Sequence, residues 1–162
     1  MPKKPSAIRL RSPMPKELFR KKLAETMPPP EKHRSSPAEP KVGDRMPDGT
    51  VYAGISPDTN KPMYAMSQDG LLTYTFNEAT RYAAKLNAYG HKDWRVPTPG
   101  ELNVLFNNRA AIGGFDITGS NPAGWYWSAS PNYIWHAWGQ RFNDGYQGFD
   151  GEVNQSSLRC VR

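Results

Sequence analysis

The residue types that most often carry catalysis or bind metals are few and scattered in this sequence. It has a single cysteine, Cys160, so neither an intrachain disulfide nor a multi-cysteine metal site can form. The histidines are His33, His91 and His136, and no two of them have the i, i+4 spacing that places two ligands on one helix face. No glycine-rich phosphate loop stands out. The sequence therefore predicts no catalytic residue, no metal and no cofactor.

One tripeptide carries oxygen atoms of the kind that bind calcium. Phe142-Asn143-Asp144 offers an amide and a carboxylate, and Ca²⁺ prefers clustered carbonyl and carboxylate oxygens. Gly145 follows directly, and Asn, Asp and Gly in succession are typical of a tight turn. We predict a turn here rather than a calcium site.

Aromatic residues are the most prominent chemical feature of the C-terminal part. Nine of them lie between Trp125 and Phe149. One interpretation is core packing, since bulky side chains can fill a fold that has little regular structure. On this interpretation the core tryptophans are Trp94, Trp125, Trp127 and Trp138.

The other interpretation of the aromatic residues is an exposed recognition surface. Tyr, Trp and Asn are favoured where proteins bind other proteins or sugars. The candidate ligand-binding residues are Asn132, Tyr133, Trp135, His136, Tyr146, Gln147, Phe149 and Asn154. We expect most of the aromatic residues to pack in the core, and Tyr133, Tyr146 and Phe149 to form a binding face.

The elements that must position these residues follow an α+β pattern over residues 43–162. A turn at Asp48-Gly49 leads into a predicted hairpin with strands at 50–55 and 62–67. Toward the C-terminus, segments 125–128, 135–143, 146–153 and 156–162 predict the short strands of an antiparallel meander. Its turn signals are Asp144-Gly145 and Asp150-Gly151.

Two helices are predicted between these strand regions. Each begins with a capping box, in which a threonine and the glutamate three residues later accept hydrogen bonds from each other's backbone N–H groups. Thr75 and Glu78 begin the first helix, and we expect Gly90 to close it. Thr98 and Glu101 begin the second.

Three segments of this pattern resemble the Lcl C-terminal domain family. They are Trp94-Arg95-Val96-Pro97-Thr98-Pro99-Gly100-Glu101-Leu102, Trp125-Tyr126-Trp127-Ser128-Ala129-Ser130 and Leu158-Arg159-Cys160-Val161-Arg162. They stand in the order typical of the family and span residues 94–162, and we expect the resemblance to cover the whole domain at residues 43–162. The resemblance implies that the two helices and the short-stranded antiparallel sheet form a C-type-lectin-like domain, related to the formylglycine-generating-enzyme type. Members of the family occur in bacterial surface adhesins and phage-encoded proteins.

The same resemblance raises the question of oxidase activity. An oxidase like the formylglycine-generating enzymes needs two cysteines to hold copper and to do thiol chemistry. Cys160 stands alone, between Arg159 and Val161 in an apparent terminal strand. We therefore interpret Cys160 as structural and the protein as a non-enzyme.

Residues 1–42 differ from the rest of the chain and have no counterpart in the family pattern. They hold 11 of the 21 Lys and Arg residues against 4 acids, and 9 of the 16 prolines, but a single aromatic residue. A segment with so few large apolar groups cannot offset its chain entropy by burial. We predict an extended basic arm that joins other protein subunits of an assembly. Its contact residues are predicted to be Arg9, Arg11, Leu18, Phe19, Arg20, Lys21 and Lys22.

These features together predict a non-enzymatic structural, display and binding protein. We expect a phage virion component, for capsid decoration or in the tail, that is made in the host cytoplasm and turns its domain toward a host-surface protein or glycan. Two alternatives stay open: a bacterial surface adhesin, and a cytosolic nucleic-acid-associated protein that uses the basic arm. No apolar run approaches a membrane span and no apolar segment follows the basic N-terminus, so we expect neither membrane insertion nor general secretory export.

Overall fold

The structure is a computed structural model that describes residues 16–17 and 39–162. Residues 39–162 form one compact unit, in which Val42 already packs against the core. The residues predicted to make the contacts of the arm, from Arg9 to Lys22, lie outside the described part of the chain.

The compact unit is α+β, as the sequence predicts. Its elements in chain order are β1 (Val51–Ile55), β2 (Pro62–Ala65), α1 (Phe76–Lys85), α2 (Pro99–Asn107), α3 (Arg109–Ile112), β3 (Trp125–Tyr133), β4 (His136–Arg141) and β5 (Gln147–Gly151). Strands β1 and β2 form one antiparallel sheet, and β3, β4 and β5 form a second in that order. The short helix α3 was not predicted.

Both predicted capping boxes are present, which fixes where the two longer helices begin. The end of α1 differs from the prediction. The helix stops at Lys85, because Leu86 already has extended backbone angles. Gly90 instead lies in a separate tight turn, with φ +78°, where Ala88 and His91 exchange backbone hydrogen bonds.

The C-terminal strands depart from a simple four-stranded meander. Strand β3 continues past Ser128 to Tyr133, and β4 begins at His136 because Trp135 belongs to the connecting turn. The turn at Asp144-Gly145 is confirmed, whereas Asp150-Gly151 ends β5 and the turn follows it. Segment 156–162 is not a fourth strand of this sheet. It makes isolated bridges, because its backbone pairs in turn with Tyr74, Tyr126, Ala65 and Arg95.

The core consists of two groups of buried side chains on either side of β3. Tyr126 belongs to the group that includes Leu102, Leu105 and Phe142. Its neighbour Trp127 belongs to the group that includes Trp94 and Leu158. Successive side chains of a strand point to opposite faces, so β3 is buried on both sides at this point.

This arrangement corrects the predicted set of core tryptophans. Trp94 and Trp127 are buried, as expected. Trp125 and Trp138 are only partly buried, because neither core group covers them: Trp125 begins β3, and Trp138 lies opposite the exposed Phe149.

Candidate functional site

The largest concentration of exposed apolar side chains lies at the turn between β3 and β4 and on the adjoining end of β5. We call it the tip surface. Its members, with their exposed fractions, are Tyr133 (74%), Ile134 (64%), Trp135 (73%), Phe149 (59%) and Val153 (80%). Scattered exposed apolar residues are ordinary, but a grouped set of this size makes the tip surface a candidate for interaction with a partner.

The turn that carries the tip surface has an unfavourable backbone conformation. Tyr133 pairs with His136, so only Ile134 and Trp135 connect the two strands. Trp135 has φ +67°, in the left-handed region that usually holds Gly or Asn. A bulky residue there costs about 1–2 kcal/mol. Because the ring of Trp135 is mostly exposed, burial does not explain why a tryptophan occupies this position.

Neighbouring rings connect the turn to β5. The His136 ring lies 5.6 Å from the Phe149 ring, and the Trp138 ring lies 6.0 Å from it, both edge to face. Trp135 and Val153 line a shallow depression of about 190 Å³ beside Asn77 of α1. The backbone N–H of Glu152 donates to the Trp135 carbonyl at 2.8 Å. The tip surface is therefore built on a bonded framework rather than on a loose loop.

The structure brings together only part of the predicted ligand-binding set. Tyr133, Trp135, His136 and Phe149 meet at the tip surface, with Asn132 exposed beside them on β3. The structure adds two residues that sequence reasoning missed, Ile134 and Val153. The run Tyr133-Ile134-Trp135 was a usable signal, because three consecutive large apolar residues cannot all point into one core.

The remaining three candidates have other contacts. The side chain of Asn154 donates to Asp150 Oδ1 at 2.7 Å. Gln147 donates to the Pro99 carbonyl at 3.0 Å, which joins β5 to the start of α2. Tyr146 is 58% exposed, but it lies at the opposite end of β5 from the turn.

Tyr146 instead belongs to a cation–aromatic cluster with Trp125 and Arg141. The two rings are 6.1 Å apart and edge to face, and the Arg141 guanidinium lies 5.5 Å and 5.6 Å from their centroids. Arg141 also binds both carboxylate oxygens of Asp144, at 3.0 Å and 2.5 Å. This bond and the Tyr146 N–H lower the pKa of Asp144 to about 2. The Asp144 carboxylate is thus bonded to neighbouring residues within the turn, which fits the interpretation of Asn143-Asp144 as a turn.

Groups capable of metal binding are not assembled in the part of the chain that the structure describes. No three His, Cys, Asp or Glu side chains in residues 16–17 and 39–162 are placed to hold a metal ion. Cys160 is buried, and burial raises the pKa of its thiol to about 12. A thiol with such a pKa is protonated at neutral pH, which supports its interpretation as structural.

The segment from Trp94 to Leu102 has a structural role that accounts for its residue types. Arg95 binds both carboxylate oxygens of the buried Glu101, at 2.5 Å and 2.6 Å. Ser56 of the β1–β2 connection donates to the same carboxylate at 2.6 Å. Glu101 also accepts from the Thr98 N–H as part of the capping box of α2. One carboxylate thus joins the start of the helix to the first sheet.

The C-terminal segment from Leu158 to Arg162 is structural as well. Arg159 is fully buried and donates to Asp69 Oδ1 at 2.7 Å and to the backbone carbonyls of Met66, Gly113 and Gly114. Asp69 accepts in addition from the Tyr126 hydroxyl at 2.5 Å. These bonds tie three separate segments to the chain end, so this motif holds the fold together and does not form a surface.

No helix in residues 16–17 and 39–162 has the length and apolar character needed to cross a membrane.

Comparison with known proteins identifies the family. No curated protein sequence gives a significant match. Residues 54–162 match the family described as the Lcl C-terminal domain. The match begins inside β1 and covers every element from β2 to β5, with all three motifs. The chain therefore belongs to the Lcl C-terminal domain family.

Proposed function

We propose that this chain is a non-enzymatic binding and display protein with a C-type-lectin-like domain at residues 43–162. The tip surface is the binding face of that domain. The observation that carries the proposal is the exposure of Tyr133, Trp135 and Phe149 together at one end of a sheet. The α+β architecture with small antiparallel sheets supports the assignment of the domain type.

The size of the tip surface supports a role in recognition. Fully buried aromatic side chains each contribute about 150–250 Å², so the exposed parts of its three rings amount to roughly 400 Å². The largest apolar patch on a typical monomer is about 300–600 Å² and is often functional. Tyr and Trp are also the residue types that dominate binding energy at protein interfaces.

The second part of the proposal concerns where the protein acts. We propose that residues 1–42 anchor the chain in a phage particle, with Arg9, Arg11, Arg20, Lys21 and Lys22 on an acidic surface of neighbouring subunits. The excess of basic residues there supports this, because residues 43–162 hold 10 basic residues against 11 acids and supply no such attraction. The domain would then face a host-surface protein or glycan.

Particle incorporation tests the anchoring. Tagged full chain and residues 43–162 are supplied in producing cells, and the tag is quantified in purified particles. We expect only the full chain to be incorporated. Equal incorporation of the truncated chain would refute the role of residues 1–42.

Cell adsorption tests the binding face. Labelled full chain carrying Trp135→Ala is compared with Ile117→Ala for retention on intact host bacteria. Ile117 is a matched control, since it is 58% exposed but lines a different groove, beside Arg109. Loss of a central aromatic anchor typically costs about 2 kcal/mol or more, which weakens binding about 30-fold. Equal retention of the two variants would refute the tip surface as the binding face.

A further inference from the structure

A second candidate site lies on the same sheet and extends from the tip surface toward the opposite end, where β3 begins. It is a shallow groove of about 230 Å³ lined by Asn121, Trp125, Phe149 and Asp150. An indole, an amide and a carboxylate thus border one small volume. Only Phe149 among these residues belongs to the tip surface, and only Phe149 was among the residues predicted to bind ligand.

Two glycines face each other on the sheet beside this groove, and one of them makes room for an aromatic ring. Gly139 of β4 is directly opposite Gly148 of β5. A Cβ added to Gly148 would come within 2.8 Å of a Tyr146 ring carbon, so a side chain there would displace that ring. A Cβ added to Gly139 would lie 3.0 Å from the Tyr126 carbonyl oxygen and in ordinary contact, 3.8 Å, with Trp125 Cε3. The glycine at position 148 therefore lets the Tyr146 ring lie against the sheet, next to Trp125.

The indole of Trp125 is held in place before any ligand arrives. The Tyr146 ring meets it edge to face, and the Arg141 guanidinium lies 5.5 Å from its centroid. Arg141 is fixed in turn by its two bonds to Asp144. A ring held by two neighbouring side chains loses little conformational entropy when a ligand packs on it.

The carboxylate of Asp150 is oriented as well. Its Oδ1 accepts from the Gly151 N–H at 2.8 Å and from the Asn154 amide at 2.7 Å. Its Oδ2 makes no hydrogen bond within residues 16–17 and 39–162, so it can accept from a ligand. The exposed Asn121 amide supplies one acceptor and two donor hydrogens at the same groove.

We infer that this groove binds one neutral pyranose unit. The apolar C–H face of the sugar ring packs on the Trp125 indole, while neighbouring hydroxyls donate to Asp150 Oδ2 and exchange hydrogen bonds with Asn121. A volume below the roughly 300–1,000 Å³ of sites for drug-sized ligands suits a single ring. The carboxylate repels sugars that carry a carboxylate, sulfate or phosphate. The inference rests on the proposed function in that the domain is a binding module, and it assigns a second site to it.

The test is a titration of the full chain with neutral methyl pyranosides of glucose, galactose and mannose, followed through the indole N–H signals in NMR spectra. A ligand with about a dozen heavy atoms is expected to bind with a Kd of about 1 mM. We expect the Trp125 signal to move with at least one of the three sugars. The corresponding methyl glucuronide should bind at least about tenfold more weakly, because Asp150 repels it.

Two variants distinguish this groove from nonspecific stacking. Asp150→Asn keeps the oxygen that receives Gly151 and Asn154, and it should weaken binding of the neutral sugar about tenfold through loss of a charge-assisted hydrogen bond. Asn121→Ala should weaken it as well, and neither change touches the core. Trp135→Ala, at the tip surface, should leave sugar binding unchanged.

The outcomes separate this inference from the proposed function. A Trp125 signal that stays fixed up to the solubility limit of every sugar overturns the inference, as does binding that Asp150→Asn leaves unchanged. If cell adsorption still depends on Trp135 in that case, the tip surface is supported as the binding face and only the sugar site is refuted. If sugars bind but Trp135→Ala adsorbs to cells normally, the sugar site is supported and the tip surface is refuted as the binding face.

Discussion

Replacing Trp127 and Trp135 separates core packing from surface display, because the two residues are of the same type in very different surroundings. Trp127 is 1% exposed, and its indole N–H donates to the Tyr74 carbonyl at 2.7 Å. Trp135 is 73% exposed and has a positive φ. Their substitution by alanine should therefore affect the free energy of unfolding very differently.

The expected magnitudes follow from burial and from the backbone. About a quarter of the roughly 250 Å² of a tryptophan side chain is in contact at position 135, so Trp135→Ala should cost about 1.5 kcal/mol at 25 cal/mol per Å². Trp127→Ala should cost about 3–5 kcal/mol, because it opens a cavity in the core. Trp135→Asn should be about 1 kcal/mol more stable than Trp135→Ala, since Asn tolerates the left-handed conformation.

Urea unfolding of the full chain, followed by tryptophan fluorescence and by circular dichroism, measures these differences, and thermal unfolding provides a second readout. A difference of 1 kcal/mol corresponds to about 4 °C in Tm for a domain of this size. If Trp135→Ala lowers the free energy of unfolding as much as Trp127→Ala does, the ring of Trp135 is part of the core and the proposed binding face is refuted. If Asn is no better than Ala at position 135, the backbone there is not strained.

Three further predictions concern the structural motifs. Burial alone would raise the pKa of Glu101, but hydrogen bonds, chiefly from Arg95, lower the pKa below its ordinary 4.5. The stability that ionised Glu101 contributes is therefore present above pH 4.5 and is lost as the pH falls through the lowered pKa. Glu101→Gln should therefore cost about 1–3 kcal/mol at pH 7 and much less at low pH, as urea unfolding at several pH values would reveal; an equal cost at every pH would contradict it. Arg159→Met should destabilise the chain by about 3–5 kcal/mol, because it leaves Asp69 as an unpaired, largely buried carboxylate; a neutral effect in the same assay would show that this network is dispensable. Cys160 should react with a thiol reagent only as fast as the chain unfolds, and rapid labelling of the native protein would disprove its burial.

Two of the three family motifs lie apart from the candidate sites, whereas Trp125 of the third motif lines the proposed groove. Arg95, Glu101 and Arg159 lie in bonded networks that hold the fold. The tip surface and the groove beside Trp125 lie on the β3–β4–β5 sheet, outside those networks. Residues of the tip surface can therefore vary without loss of the networks that hold the fold, as is usual for exposed residues carried on a rigid framework.

What the sequence determined by itself was local. A capping box joins residues three positions apart, so Thr75 with Glu78 and Thr98 with Glu101 predicted where both longer helices begin. The turn at Asp144-Gly145 depends on backbone preferences of adjacent residues and was equally readable.

Only the tertiary structure decided which aromatic residues are buried. Tyr126 and Trp127 are adjacent and both buried, because segments distant in sequence cover both faces of β3. Trp125, one residue earlier, is partly exposed because neither core group packs over it. Burial depends on neighbours that the chain brings in from far away, and nothing in a strand's own residues specifies them. For the same reason the burial of Arg159 could not be predicted from the sequence, because its partners include Asp69, 90 residues earlier.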